Sequence, residues 1–340
     1  MVHLRIIAPS GHCSHVLELL EDTETVFNVI YLKGVATKPD GDLIECDVAS
    51  RDVSLLVADL RELDIDRDGS IAIDEIDSEI SGIASGAKRR KRDDIGADPV
   101  IWENVASRTS ENVELSHSFL IFMVLAMLIA SVGIYFDQPI LIVGAMVVGP
   151  DFGPIAGICV ALVNRDHDLI RRSATALLVG FGLGMIATFV ATLLLDAVDQ
   201  IPETIDFENH DFTAFISNPD FFSVYVSLVA GVVGTLSLTT AKSSVLVGVL
   251  ISVTTIPAAA NVGVAAAYAD WSTAGGAALQ LVLNLFFIFV AGLITLTIQR
   301  RIYMARRREH LSEESRRDAG LPLGRSRRAE VDPHEEPEAT

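Results

Sequence analysis

Hydrophobic and polar positions along this chain follow two different rules. Up to about residue 76 the apolar residues recur at short period between polar ones. Residues 2–8 (VHLRIIA) alternate as a strand does, and residues 12–21 place Val16, Leu17, Leu19 and Leu20 at helical spacing. Two further strands are predicted near 25–36 and 42–48, joined by the turn Lys38-Pro39-Asp40-Gly41. Residues 51–63 (RDVSLLVADLREL) read as an amphipathic helix, and 69–76 (GSIAIDEI) as a last strand. The order βαββαβ is that of a ferredoxin-like domain, expected over residues 1–80. Such a fold does not by itself give a function.

From residue 115 onward the polar positions almost vanish. A helix needs about 20 apolar residues to cross a hydrocarbon core of roughly 30 Å. Six such runs are present, at 116–136, 139–163, 170–197, 221–240, 243–267 and 274–299. The expected architecture is therefore α+β for the ferredoxin-like domain and an all-α, six-span membrane domain over 115–300. Residues 81–114 are expected to form a basic linker and a short interfacial helix (99–112) with Trp102 at the membrane surface. The polar tail 301–340, rich in Arg, Glu and Pro, is expected to be disordered.

Charge fixes a direction for these spans. The 340 residues carry a formal net charge of -19 with 50% hydrophobic residues, and the two properties separate along the chain. Lys88-Arg89-Arg90-Lys91-Arg92 and Arg108 precede the first span, while Arg165, Arg171 and Arg172 lie between the second and third. Lys242 lies between the fourth and fifth, and Arg300, Arg301 and Arg306–Arg308 follow the sixth. The remaining connections hold no Lys or Arg, and residues 199–220 are acidic. The excess of positive charge on one side predicts a multi-pass protein of the cell membrane with both termini cytoplasmic. The acidic balance speaks against nucleic acid as a partner. The expected partners are the lipid bilayer, a small solute or ion, and in an oligomer a second copy of the chain. The start MVHLRIIAPSGH lacks the pattern of a cleavable signal peptide.

Several motifs carry candidate chemistry. Asp64, Asp66, Asp68, Gly69 and Glu75 match an EF-hand calcium loop at its acidic, glycine and closing positions. The competing reading is a tight turn before the last strand, because 70–76 alternates like a strand and no second helix follows. His12 and His15 lie one turn apart at a helix start, with no third or fourth metal ligand evident. Cys13, Cys46 and Cys159 form no CxxC pair, so neither a disulfide framework nor a zinc site is implied, and no cofactor is expected.

The second apolar run is interrupted. VGAMVVGPDFGPIAG (143–157) places Gly149, Pro150, Asp151, Gly153 and Pro154 near its middle. Proline removes a backbone donor and clashes with the carbonyl four residues earlier, and the freed groups must be satisfied by protein or by a water-filled cavity. The fifth run carries a counterpart in Thr254, Thr255, Pro257 and Asn261. A shift of 104 residues lays spans one to three on spans four to six, with identities such as Val143/Val247, Gly144/Gly248 and Asp166/Asp270. Three spans per half is an odd number, so the halves would be inverted repeats. Paired interruptions in such halves point to a transporter site at mid-membrane; kinked helices and close packing are the bland alternative. Asp151 either accepts a proton or cation, or caps the second half-helix. Asn284 is read as hydrogen-bonding glue inside the bundle.

The runs IVGAMVVGPDFGPIAG and VGVLISVTTIPAAANVGVA, following a ferredoxin-like domain, resemble the DUF389 family of prokaryotic membrane proteins over roughly residues 1–300. The resemblance implies a conserved hydrophobic domain of several spans and no established activity. The family pattern often places a non-acidic residue after the first proline, so Asp151 departs from it.

The function expected is a transporter or channel-like permease, binding a small solute or ion between spans two and five at Gly149, Pro150, Asp151, Gly153, Pro154, Thr254, Thr255, Pro257 and Asn261. The alternative is a membrane-anchored sensor or scaffold acting through small-ligand binding by the ferredoxin-like domain. An enzyme is not expected: Asp151 is the lone acidic residue deep in any span, and no Ser–His pair lies at depth.

Overall fold

A computed structural model describes residues 1–76, 105, 115–202, 216–217, 219–239 and 255–327. The basic run 88–92, Arg108, most of the interfacial helix expected over 99–112 with Trp102, Lys242, Thr254 and residues 328–340 lie outside the described residues. The chain divides into two compact units, Met1–Asn104 with Gln299–Thr340, and Val105–Ile298.

The first unit is built on a small antiparallel sheet. Its elements are β1 (Val2–Ala8), α1 (Cys13–Asp22), β2 (Val26–Thr37), β3 (Asp40–Val48), α2 (Val53–Glu62), the single turn α3 (Ile65–Asp68) and β4 (Ser70–Glu75). The sheet order is β2-β3-β1-β4, antiparallel throughout. Strict alternation along β1 buries Val2, Leu4, Ile6 and Ala8, and the helices close that face with Val16, Leu19, Leu20, Leu56 and Leu60. The order βαββαβ read from the periodicity is the order found, with α3 as an added turn.

Residues 64–75 do not form an EF-hand. After the turn of α3, Ser70–Glu75 runs as a strand in register with β1, Ser70 opposite Ile7 and Glu75 opposite Val2. A Cβ on Gly69 would lie 2.0 Å from the Ile7 carbonyl oxygen, so this glycine serves strand packing. Asp66 pairs with Arg61 at 3.0 Å. Among the described residues no group of three metal-ligating side chains is assembled, His12 and His15 included. Cys13, Cys46 and Cys159 are all buried free thiols, and burial pushes the Cys46 thiol up to about 12.

The tail differs from its expectation. Helix α10 (Trp271–His310) continues well past the apolar run, and a further turn, α11 (Glu314–Asp318), follows it. Ala319 and Leu321 join the core of the first unit. Residues 301–327 are thus ordered by contact with the N-terminal domain, and composition alone hides this because the contacts are long-range.

The second unit is helical: α4 (His117–Tyr135), α5 (Pro139–Val148), α6 (Phe152–Asn164), α7 (His167–Ala197), α8 (Phe221–Thr239), α9 (Thr255–Ala267) and the first part of α10. Among the described residues four helices (α4, α7, α8, α10) are long and apolar enough to cross a membrane, or five spans if the bent pair α5–α6 is one. That is compatible with a multi-pass membrane protein. Helix α9 is buried nearly all round, from Thr255 to Ala265. A helix with no solvent face belongs inside a bundle.

Local geometry recurs at a separation of 104 residues. Helices α4 and α8 are both 19 residues long and start at His117 and Phe221. Their caps correspond: Ser116 Oγ accepts from the Phe119 amide at 3.1 Å, and Asp220 Oδ1 from the Ser223 amide at 2.8 Å. Asp166 and Asp270 cap α7 and α10 through the amides of Leu169 and Thr273. The preceding residues, Arg165 and Ala269, both have left-handed backbone. Packing corresponds too. Gly184 lies against Met127, and Gly231 against Ile288; Gly263 lies against Thr188 and the Met185 carbonyl, and Cys159 against Gly292 and the Phe289 carbonyl. Each pair of contacts is related by the same 104 positions.

Candidate functional site

The interruption at Gly149–Pro150 splits the second apolar run. Helix α5 ends at Val148, Gly149 is extended at φ -70° and ψ 127°, and α6 begins at Phe152 after a bend of 47°. The residue before a proline is pushed out of helical geometry, which ends α5 where it does. Gly153 and Pro154 fall in the first turn of α6, where the missing proline donor would have no intrahelical partner anyway. At Gly149 a Cβ would lie 2.7 Å from the Cδ1 and Cγ1 atoms of Ile256, so α9 seats directly against the break.

Asp151 occupies the N-cap position of α6, but its side chain makes no capping hydrogen bond. Its carboxylate instead accepts from Thr255 Oγ1 on α9 at 2.5 Å, across 104 residues of chain. Asp151 is 4% exposed and Thr255 1%. Among the described residues Asp151 has no ion-pair partner. A buried carboxylate held by neutral donors keeps acceptor capacity that a proton, a cation or a donor group would satisfy.

The other expected site residues divide. Pro257 is buried two residues on from Thr255, about half a turn along α9. Thr254 lies outside the described residues, as does the chain before Thr255. Asn261 stands nearly two turns further along α9, and its Nδ2 donates to Ser217 Oγ at 2.7 Å. The structure thus brings Asp151 and Thr255 together and gives Asn261 other company. On α10, Asn284 Oδ1 accepts from Ser227 Oγ at 2.9 Å and from Gln280 Nε2 at 3.4 Å, the bundle role expected of it. Ser217, Ser227 and Gln280 were not singled out by sequence, although a Gln in an apolar run is itself a signal.

A second buried polar cluster, in the first unit, has no forewarning in the motifs. Asp59 and Glu62, one turn apart on α2, meet Arg307, His310 and Arg316. Arg307 Nη1 donates to Asp59 and Nη2 to Glu62, both at 2.6 Å. Arg316 bonds Asp59 through Nη1, and Glu62 through Nη2 at 2.9 Å. His310 Nε2 lies 2.6 Å from Asp59, and Glu62 also accepts from Ser326 Oγ and the Arg327 amide. Burial pulls Arg316 down to about 10, which leaves it charged at neutral pH. This cluster clamps the tail to the domain.

Comparisons with known proteins fall on the interrupted region. Residues 146–290 match the family described as "Domain of unknown function (DUF389)". An uncharacterized protein of Methanocaldococcus jannaschii is 28% identical over 175 residues, covering 51% of this chain and 52% of the relative. The chain therefore spans about half the length of the curated relative it matches. No solved structure matches. The matched range is narrower than the 1–300 expected, and it contains Asp151, Thr255, Asn261 and Gln280. The likeness to DUF389 read from the motif residues is thereby shown, over residues 146–290.

Proposed function

We propose that this chain is a membrane transporter or channel-like permease for a small solute or ion, bound where α6 and α9 meet. The observation that carries the reading is the buried Asp151–Thr255 hydrogen bond beside a broken helix. Irregular backbone at membrane depth is tolerated where it lines a cavity, and such breaks mark substrate sites in transporters. In this reading the spans number six, as two inverted halves of three. The recurrence of helix lengths, caps and glycine contacts at 104 residues supports it. So does the position of the hydrogen bond itself, since Asp151 and Thr255 occupy the same place in the two halves. Loop charge puts both termini in the cytoplasm, with a ferredoxin-like domain there for regulation or assembly.

The test is flux through purified protein in liposomes, scanned over inorganic ions, amino acids and small organic acids. A solute that crosses faster than in empty vesicles, and no longer does so in Asp151→Asn, supports the proposal. Equal flux with and without protein for every solute sinks it.

A second reading, a sensor acting through the ferredoxin-like domain, is favoured by the clamp of Arg307 and Arg316 on Asp59 and Glu62, which ties the end of α10 to that domain. Calorimetric titration of the full chain with nucleotides, amino acids and calcium separates the two. Binding that persists in Asp151→Asn without any flux selects the sensor.

A further inference from the structure

One set of corresponding positions differs in polarity between the two halves of the helical unit. In the first half, the positions facing each other across α4, α6 and α7 are apolar or small: Phe119, Met123, Gly157, Ala176 and Gly180. The residues 104 positions on are Ser223, Ser227, Asn261, Gln280 and Asn284, all buried. Every substitution is toward polarity, and Ser217 adds to them.

These side chains form a band of two hydrogen-bonded groups that adjoin where Ser217 meets Gly276. Asn261 donates to Ser217 Oγ, and the Ser217 carbonyl oxygen lies 2.2 Å from where a Cβ on Gly276 would stand. Gln280 is one turn beyond Gly276 on α10 and donates to Asn284, which also accepts from Ser227. Among the described residues two acceptors in this band have no partner: Asn261 Oδ1 and Gln280 Oε1, on side chains that are both 0% exposed. A buried carbonyl oxygen without a donor loses its hydration with nothing in return, so two in one band call for a ligand that supplies positive charge or donors. The carboxylate that touches the band, Asp220 at its edge, is already engaged by the hydroxyl and amide of Ser223 at 2.8 Å, and the two unpartnered oxygens belong to neutral amides. Neutral amide and hydroxyl oxygens suit a dehydrated monovalent cation, whereas a divalent ion favours carboxylates.

We infer that the band between α8, α9 and α10 is a binding site for a monovalent cation, held by the oxygens of Asn261 and Gln280 with serine hydroxyls beside them. It stands whether or not a solute binds at Asp151.

The experiment is thermal unfolding of the purified full chain in NaCl, KCl, NH4Cl, MgCl2 or choline chloride at constant ionic strength. One or more of the monovalent salts is expected to raise Tm over choline by about 4 °C at ten times its Kd. In Gln280→Ala, which installs the residue of the matching position in the first half, that difference should disappear whatever the baseline Tm. Equal melting in all salts, stabilisation by MgCl2 alone, or a full response in Gln280→Ala overturns the inference. Retention of 22Na+ or 86Rb+ by wild type and by Asp151→Asn serves if the Gln280 variant does not fold. Retention by both supports the site. Retention by neither overturns it, and so does loss in Asp151→Asn alone, which would place the ion at Asp151 instead.

Discussion

Two buried aspartates mark the two units, and their surroundings are opposite. Asp59, 0% exposed, is met by the guanidinium groups of Arg307 and Arg316 and by the His310 ring. Asp151, 4% exposed, is met by one threonine hydroxyl. A carboxylate surrounded by fixed cations has its charge compensated within the fold and nothing left to offer a ligand. One met by neutral donors alone keeps its charge uncompensated within the fold, which is the arrangement expected of a group that takes up a proton or a cation. Burial alone does not distinguish a structural acid from a functional one; the partner set does.

The contrast is sharpest under substitution. Asp59→Ala leaves two guanidinium groups buried against a cavity. It should destabilise the first unit by about 3–5 kcal/mol and release the tail, seen as faster tryptic cleavage within 300–327. Unchanged cleavage and melting would mean that the clamp does not hold the tail. Thr255→Val removes the hydroxyl that α9 donates to Asp151 and should cost about 1.5–3 kcal/mol, read as a fall in the urea midpoint of the full chain in detergent. Gly263→Ala would push a methyl to 2.0 Å from Thr188 Oγ1. It should cost about 1–3 kcal/mol, whereas Gly182→Ala, with open space around it, should gain up to about 1 kcal/mol from helix propensity. A similar Tm for both glycine variants would dismiss the close approach of α7 and α9. Asp151→Asn should have the smallest effect, under about 1 kcal/mol in either direction, because an amide oxygen still accepts from Thr255. A large loss there would make Asp151 a structural acid like Asp59.

Much of this was legible along the chain. The period-two runs of β1 and β4 and the amphipathic 51–63 predicted the sheet and its helices, because one face of each must be apolar. The Pro150 break was legible for the same local reason: proline constrains its own neighbours. The EF-hand match yields to the strand read over 69–76, because ligand spacing carries no frame of its own, and the pairing of Ser70–Glu75 with β1 bears the strand out. The tail misled. Arg307, His310 and Arg316 look like solvated charge by composition, and their partners lie about 250 residues away in α2.

The sequence by itself determined which segments are apolar and where helices start and break. These follow from each residue's own hydration, rotamers and backbone limits. Only the tertiary structure decided that Asp151 meets Thr255, that Asn261 turns to Ser217, and that Asp59 and Glu62 receive the arginines of the tail. Hydrogen bonds and ion pairs are made at about 3 Å, and no local pattern records which distant donor will arrive within that distance.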